Sequence, residues 1–266
     1  MVGRWIDGTL PPVAYIGANM LTLEPFYRTV LGKAPTTVAA WSPSDDADCV
    51  LWLAASNVND TTEGRYVTTW TDNSGQSNDL TQTSESLQPT YEVVGSIPVV
   101  RFDGSDKLIA ASAVIDLTKT MSWFIVMSNR IVHLSEIMGT LSGANGRSLW
   151  FRATTEQKIA VFVDSSGYDY PNTGIADDTL ATYSADILSY STVAGEISIR
   201  VNGVGVTPNA TKTGSSTNDG NFAVGSTPTG SYALDGDIAD IICFSREADA
   251  DLYTNVSAYW SATYGL

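Results

Sequence analysis

The feature that most constrains the fold of this chain is a series of short β-prone runs separated by turn signals. From Asp48 onward, runs rich in Val, Ile, Thr, Tyr, Phe and Trp alternate with clusters of Gly, Asn, Asp and Ser. Turn dipeptides such as Asn202-Gly203 supply the positive φ that tight hairpins need. The ten clearest runs are Cys49–Ala54, Val67–Thr71, Pro98–Phe102, Met121–Ser128, Ser148–Ala153, Lys158–Asp164, Ala181–Ser189, Glu196–Val201, Asn221–Gly225 and Asp237–Phe244. Short strands without intervening helices predict an all-β sandwich of two antiparallel sheets.

One helix is predicted, at the end of the chain, over residues 246–264. Ser245 is the predicted N-cap, acidic residues follow it in the first turn, and Gly265 is the predicted stop. Four large side chains fall on one face between them: Leu252, Val256, Tyr259 and Trp260. We expect this helix to cover one open end or edge of the sandwich.

The opening segment differs in composition from the rest of the chain. Residues 1–44 hold two acids and three bases, a balance of +1, whereas residues 45–266 hold 27 acids and 11 bases, a balance of −16. Five prolines in this segment interrupt regular structure. We therefore divide the chain into an irregular N-terminal arm (1–46) and a sandwich domain (47–266). The arm lies either on its own domain or on a partner subunit, and its expected assembly contacts are Trp5, Tyr15, Phe26 and Tyr27.

Charge and residue counts exclude several classes of function. A net charge of −15 repels phosphate, so neither nucleic acid nor an anionic membrane is an expected partner. No apolar run approaches the ~20 residues that cross a bilayer, and the first residues lack a signal-peptide pattern. We expect the protein either to stay in the cytosol or to leave it by assembly into a particle.

Cysteine and histidine are scarce. Two cysteines, Cys49 and Cys243, are too few for a disulfide framework or a zinc site, and we expect two buried free thiols. The one histidine, His133, lies in a β-prone run and is expected to be structural. A site built from several histidines is therefore excluded.

Both ends of the predicted domain resemble a known type of domain. The resemblance is carried by Leu51-Trp-Leu-Ala-Ala-Ser56, Val67-Thr-Thr-Trp-Thr-Asp-Asn-Ser-Gly75, Asn78-Asp-Leu80, Gln88-Pro-Thr-Tyr91, Pro98-Val-Val-Arg-Phe-Asp-Gly104, Gly236-Asp-Ile-Ala-Asp-Ile-Ile-Cys-Phe-Ser245 and the closing tyrosines. The resemblance covers residues 47–266. This part of the chain is similar to the concanavalin A-like (laminin-G-like) jelly-roll domains of tailed-bacteriophage virions. Such a fold implies that the first and last strands are neighbours, and it leaves a Cys49–Cys243 disulfide as one alternative.

The resemblance also implies two candidate functions to consider, catalysis and calcium binding, because relatives of this type include glycoside hydrolases and calcium-binding domains. The chain has eight glutamates, none within six positions of another, so the Glu-x-Asp-x-x-Glu arrangement is absent and no enzyme is expected. The nearest acidic cluster, Asp235, Asp237 and Asp240, is interpreted as a turn and a sheet edge. Asp103 and Asp106 are candidate calcium ligands, although bare turns have the same sequence.

The best candidate for sugar binding is a glycine-rich polar segment with two tyrosines. Its candidate residues are Tyr168, Asp169, Tyr170 and Asn172, predicted to lie in a loop. The same tyrosines could instead fold onto the sheet edge or into a subunit contact. Trp123, Trp150 and Phe151 lie in strand patterns and are expected in the core.

The sequence thus predicts a non-enzymatic virion structural protein. The jelly roll would act as a capsid decoration, fibre or receptor-binding knob, and the arm would contact other virion proteins. A homo-oligomer is expected for such a part. The alternative is a carbohydrate-binding lectin module that recognises a host-surface glycan.

Overall fold

The computed structural model describes residues 40–111, 114, 120–130, 135–140, 147–151, 158–163, 166–172, 179–187, 197–206 and 221–266. The compact unit they belong to spans Trp41–Leu266. In the parts described, it is an all-β sandwich of two antiparallel sheets with one helix at its C-terminal end, so the predicted fold class is confirmed. The arm contacts expected at Trp5, Tyr15, Phe26 and Tyr27 lie outside the described residues.

Among the described residues, each sheet has eight strands. The first contains β1 (Cys49–Ala54), β4 (Thr90–Val94), β5 (Ile97–Asp103), β7 (Met121–Asn129), β12 (Ala181–Ile187), β13 (Ile197–Val201), β14 (Val204–Val206) and β16 (Asp235–Phe244). Its order is β14-β13-β12-β7-β16-β5-β4, with β1 paired to β16. The second contains β2 (Thr69–Trp70), β3 (Leu80–Thr81), β6 (Leu108–Ala110), β8 (Ser135–Gly139), β9 (Arg147–Phe151), β10 (Lys158–Val163), β11 (Ser166–Asn172) and β15 (Ala223–Val224), in the order β11-β10-β9-β8-β15-β6-β3-β2.

The central strand β7 is buried on both faces, because the second sheet covers one face and the helix covers the other. Its inward residues, including Trp123 and Ile125, join the core between the sheets. Its outward residues Phe124 and Val126 pack with the helix. This burial on both faces explains why the sequence of β7 is a nearly continuous run of apolar residues rather than an alternation of apolar and polar residues. The prediction that Trp123 belongs to the core is confirmed.

The first and last strands are neighbours, as the resemblance implied. β1 pairs antiparallel with β16, so that Leu51 lies opposite Cys243 and Cys49 lies opposite Phe244. Cys243 belongs to the core between the sheets, whereas Cys49 packs in the cluster on the helix side. Both cysteines are buried free thiols, as the composition predicted, and the alternative of a disulfide is not realised.

The helix α1 (Ala250–Tyr264) begins four residues later than predicted. Its N-cap is Asp249, whose side chain accepts from the Leu252 main-chain N–H at 2.8 Å. Ser245 instead continues the strand pairing, since its main-chain N–H donates to the Asp48 carbonyl at 2.8 Å. Gly265 ends the helix in the left-handed region at φ 73°, as predicted.

The sandwich unit includes a few residues that the sequence had assigned to the arm. Trp41 packs against the cluster on the helix side of the first sheet. Asp46 accepts from the Arg246 guanidinium at 2.8 Å. The compact unit therefore begins at Trp41, slightly before the predicted boundary at 46/47. Among the residues described, no helix has the length and apolar character needed to span a bilayer.

Candidate functional site

A groove of about 390 Å³ lies between one side of α1 and the start of β12 with the β13–β14 turn. A smaller pocket with shared lining residues adjoins it along the helix. The groove is lined by Leu180, Thr182, Asn202, Gly203, Ser257, Trp260 and Leu266. These residues come from three separate elements, so the site exists only in the folded sandwich.

The wall opposite the helix is fixed by hydrogen bonds between a turn and a strand. Asn202 has φ 49° and, with Gly203, forms the tight turn that the sequence predicted. The Asn202 main-chain N–H donates to the Thr182 carbonyl at 2.8 Å. In return, the Asn202 side-chain oxygen accepts from the Thr182 main-chain N–H at 3.0 Å. This reciprocal pair holds the polar wall of the groove in one position.

Aromatic rings and a guanidinium line the smaller pocket that adjoins the groove along α1. The ring of Phe124 contacts Trp260 at 6.1 Å and Tyr253 at 5.4 Å between centroids, both edge-on. The guanidinium carbon of Arg200 lies 4.1 Å from the centroid of the Tyr253 ring. The groove and the adjoining pocket together therefore combine apolar ring surface with hydroxyl, amide and guanidinium groups.

This combination matches the chemistry of a sugar ring, which presents an apolar face of C–H groups and a rim of hydroxyls. Trp260, Leu180 and Leu266 supply apolar surface, and Thr182 and Ser257 supply hydroxyl groups at the wall. Nothing in the linear sequence marks the site. Of the residues that line the groove from the helix, the sequence pattern placed only Trp260 on the core-facing side, and it did not single out Ser257.

Beneath the groove, Asp240 is completely buried under α1. The Trp260 indole N–H donates to its carboxylate at 3.0 Å. Burial raises the pKa of Asp240 to about 7, and hydrogen bonds from the surrounding indole and phenol groups hold it from rising further. This carboxyl connects the helix to β16 and is closed to solvent.

The calcium candidates lie close together, Asp103 as the last residue of β5 and Asp106 in the turn that follows. Asp106 is nearly buried and accepts from the Asp103 main-chain N–H at 3.0 Å. Asp103 is exposed and accepts from the Ser105 hydroxyl at 2.7 Å. Desolvation raises the pKa of Asp106 to about 7, whereas the hydrogen bonds from Ser105 lower the pKa of Asp103. No group of three His, Cys, Asp or Glu side chains within the described ranges is placed to hold a metal ion.

The acidic cluster of the last strand is dispersed rather than convergent. Asp237 forms a two-point ion pair with Arg101, at 2.7 and 2.8 Å. Asp235 lies opposite Asp103 in the strand register and 3.5 Å from Arg130. Asp240 is held by the helix. Two of these acids therefore form ion pairs and the third anchors the helix.

A buried acid that the sequence interpretation did not single out is Glu136. It lies in β8, an interior strand of the second sheet, and its side chain has no solvent exposure. Its main-chain N–H donates to the Tyr232 carbonyl at 2.8 Å. No spacing in the sequence distinguishes Glu136 from a surface glutamate, because its burial comes from the residues packed around that strand.

The predicted sugar-binding loop is a strand. Tyr168, Asp169, Tyr170 and Asn172 belong to β11, which forms the edge of the second sheet and pairs with β10. Trp150 and Phe151 lie in β9, in agreement with their predicted strand pattern. His133 lies outside the described residues. The structure thus places the Tyr168–Asn172 segment on a different sheet from the groove.

No protein-family model matches the chain, and no curated protein sequence matches it significantly. Solved structures do match its fold. Trypanosoma rangeli sialidase in complex with sialic acid has a TM-score of 0.55 at 11% identity, over 82% of this chain and 34% of that one. A GH54 α-L-arabinofuranosidase soaked with a cyclic sulfate inhibitor has a TM-score of 0.56 at 11% identity, over 82% and 65%. An arabinofuranosidase complexed with arabinofuranosyl-α-1,2-xylobiose has a TM-score of 0.51 at 12% identity, over 73% and 51%.

These likenesses establish a shared β-sandwich fold, and the chain spans about a third of the sialidase length. They also correct the function expected from the sequence. The chain's structural neighbours are glycosidases. This finding contradicts the predicted function as a non-enzymatic virion structural protein, together with its alternative as a lectin module. It also contradicts the expectation that the protein is not an enzyme. The sequence interpretation considered only acids spaced along one strand. Neighbouring strands lie about 5 Å apart, so acids far apart in the sequence can face each other across two strands, and that interpretation was too narrow.

Proposed function

We propose that this protein is carbohydrate-active and that its sandwich binds glycan in the groove beside α1. The observation that carries the proposal is the lining of the groove, in which Trp260 and two leucines face hydroxyl and amide groups. Its volume of about 390 Å³ lies within the range of small-ligand sites, roughly 300–1,000 Å³. Two structural neighbours, a sialidase in complex with sialic acid and an arabinofuranosidase complexed with arabinofuranosyl-α-1,2-xylobiose, support the same class of ligand.

The test fills the groove from the helix without disturbing the core. Ser257 is exposed and lines the groove, so Ser257→Tyr puts a phenol ring into the space that a sugar would take. The matched control is Ala262→Tyr, an exposed position on the same helix that is not part of the lining. Both variants add the same side chain to α1, and both should unfold at the temperature of the wild-type protein.

Binding is measured with the full chain on a glycan array, followed by calorimetric titration of the best ligands. We expect saturable binding by the wild type and by Ala262→Tyr, and a loss of at least tenfold in affinity for Ser257→Tyr. Equal binding by Ser257→Tyr and the wild type, or no glycan bound by any of the three proteins, would contradict the proposal.

A second candidate activity is glycoside cleavage, because the structural neighbours are glycosidases. Hydrolysis of a panel of 4-nitrophenyl glycosides by the full chain should be lost in Ser257→Tyr and retained in Ala262→Tyr. No hydrolysis by the wild type, or equal rates in the two variants, would contradict this activity.

From the sequence resemblance alone, we also propose that the protein is carried on a virus particle and attached through residues 1–46. Mass spectrometry of purified particles tests this location. A truncated chain that starts at Trp41 should fold but fail to assemble, and a truncated chain that assembles normally would contradict a role for the arm.

A further inference from the structure

We infer that the groove beside α1 selects a sugar that carries a carboxylate and that Arg200 binds this carboxylate. The inference rests on the proposed function, because it specifies the ligand class of the same groove. It follows from the charge of the groove lining, from the way Arg200 is held, and from the partners of the other arginines.

The groove differs in charge from the rest of the chain. The chain has 29 acids against 14 bases. Among the described residues that line the groove or its adjoining pocket, none is acidic, and the one basic side chain is Arg200, which lines the adjoining pocket. A positive group in a cleft without acidic neighbours attracts an anion even when the protein as a whole is negative. Binding of a neutral sugar would not require a basic side chain at this place in an otherwise acidic protein.

Arg200 is held in place by an aromatic ring rather than by a carboxylate. Its guanidinium lies 4.1 Å above the centroid of the Tyr253 ring, and Tyr253 in turn packs against Phe124. Stacking uses one face of the guanidinium plane and leaves the N–H groups at its edge available. Because the plane is fixed before a ligand binds, little side-chain freedom remains to be lost.

Three of the other described arginines are ion-paired, whereas Arg200, which contacts the Tyr253 ring, and the exposed Arg65 are not. Arg101 pairs with Asp237, Arg130 with Asp235, and Arg246 with Asp46 and Asp249. Within the part of the chain that the structure describes, no carboxylate forms an ion pair with Arg200. A planar guanidinium offers two parallel N–H bonds, and a carboxylate is the sugar substituent that accepts both in the same plane.

The test compares ligands that differ only in charge. Trigalacturonate and its fully methyl-esterified form are titrated at pH 7 into the full-length wild type, Arg200→Gln, Arg200→Lys and Arg65→Gln. Arg65 is exposed and lines neither the groove nor its adjoining pocket, so Arg65→Gln changes the net charge equally and is the matched control. Neutral galactotriose is the reference for binding without any carboxyl group.

We expect the wild type and Arg65→Gln to bind trigalacturonate roughly tenfold to a hundredfold more tightly than the ester, the range for a hydrogen bond to a charged group. Arg200→Gln should bind both forms equally, and Arg200→Lys should recover only part of the preference. Equal affinity of the wild type for acid and ester, or a preference that persists in Arg200→Gln, would overturn the inference. If neutral sugars still bind to the wild type and Ser257→Tyr blocks that binding, the proposed function stands without the inference about Arg200. If no sugar binds at all, both the proposed function and the inference are wrong.

Discussion

The Trp260 indole N–H donates to the buried carboxyl of Asp240 across 3.0 Å and so connects α1 to β16, an interior strand of the first sheet. The indole forms part of the groove lining on one side and reaches the carboxyl on the other. Trp52, on β1, packs edge-on against Tyr259 of the same helix at 5.7 Å. The position of α1, and therefore the width of the groove, depends on this polar contact inside an aromatic cluster.

The stability of the protein should fall as the pH rises from about 4 to about 7, and Asp240→Asn should reduce that fall. The pKa of Asp240 is raised to about 7 from 3.8, so the folded state holds the proton more tightly than the unfolded state. The stabilisation from the neutral form is complete below pH 3.8 and is lost as the pH passes through about 7. Urea unfolding at pH 5 and pH 8.5 measures it, with a slope of at most about 1.4 kcal/mol per pH unit for one proton.

Asp106 titrates in the same direction and contributes equally to the wild type and to Asp240→Asn, so the difference between the two proteins isolates Asp240. A wild type and variant whose unfolding free energies change in parallel between pH 5 and pH 8.5 would show that Asp240 does not titrate in this range.

Trp260→Phe should destabilise the fold by about 2–4 kcal/mol, because it removes the hydrogen-bond donor to a buried carboxyl and leaves unfilled space. The loss should be smaller in the Asp240→Asn background at pH 8.5, since no buried charge is then left without its donor. A double-mutant cycle on unfolding free energies measures the coupling. Fully additive effects would mean that the contact contributes nothing specific.

Gly225→Ala should cost several times more stability than Gly95→Ala. Both glycines have positive φ, 87° and 67°, so both variants pay the strain of a left-handed alanine, about 1–2 kcal/mol. At Gly225 a Cβ would also overlap the Phe102 ring, whereas nothing lies within 4 Å of a Cβ at Gly95. Thermal unfolding compares the two variants, and equal losses would show that the Phe102 ring has room to move.

Both cysteines should be unreactive in the native protein and react together when it unfolds. Burial raises the pKa of Cys49 to about 12 and that of Cys243 well above its usual value, so neither thiol forms the reactive thiolate at neutral pH. Labelling with a thiol reagent, with and without urea, measures this. Rapid labelling of the folded protein, or a mass that rises by two hydrogens on reduction, would contradict two buried free thiols.

The sheets were predictable because their strands obey local rules. All ten predicted runs contain strands of the sandwich, and the apolar run of β7 follows from coverage on both faces. The strand β11 was missed because glycine, serine and proline made it resemble a loop, while pairing with β10 fixes its extended backbone. The helix start was misplaced because Ser245 is held by Asp48, which lies 197 residues away in the sequence.

The candidate site could not be predicted in the same way. Thr182, Asn202 and Ser257 come from three elements that only tertiary packing brings together. Arg200 has no local signal, since its meaning depends on the Tyr253 ring from the helix. The sequence therefore predicted a sugar site in the Tyr168–Asn172 segment, whose two tyrosines lie among polar residues and glycine. It did not predict the groove, because none of the groove residues has a sequence pattern typical of a binding site.

The most direct test of the account is a backbone-amide chemical-shift titration of the isotopically labelled full chain with the tightest-binding glycan. We predict that the largest shifts fall on Thr182, Asn202, Gly203 and Ser257, and that they disappear in Ser257→Tyr but not in Ala262→Tyr. Shifts confined to the strands β10 and β11, with the groove amides unchanged at saturation, would contradict the assignment of the glycan site to the groove.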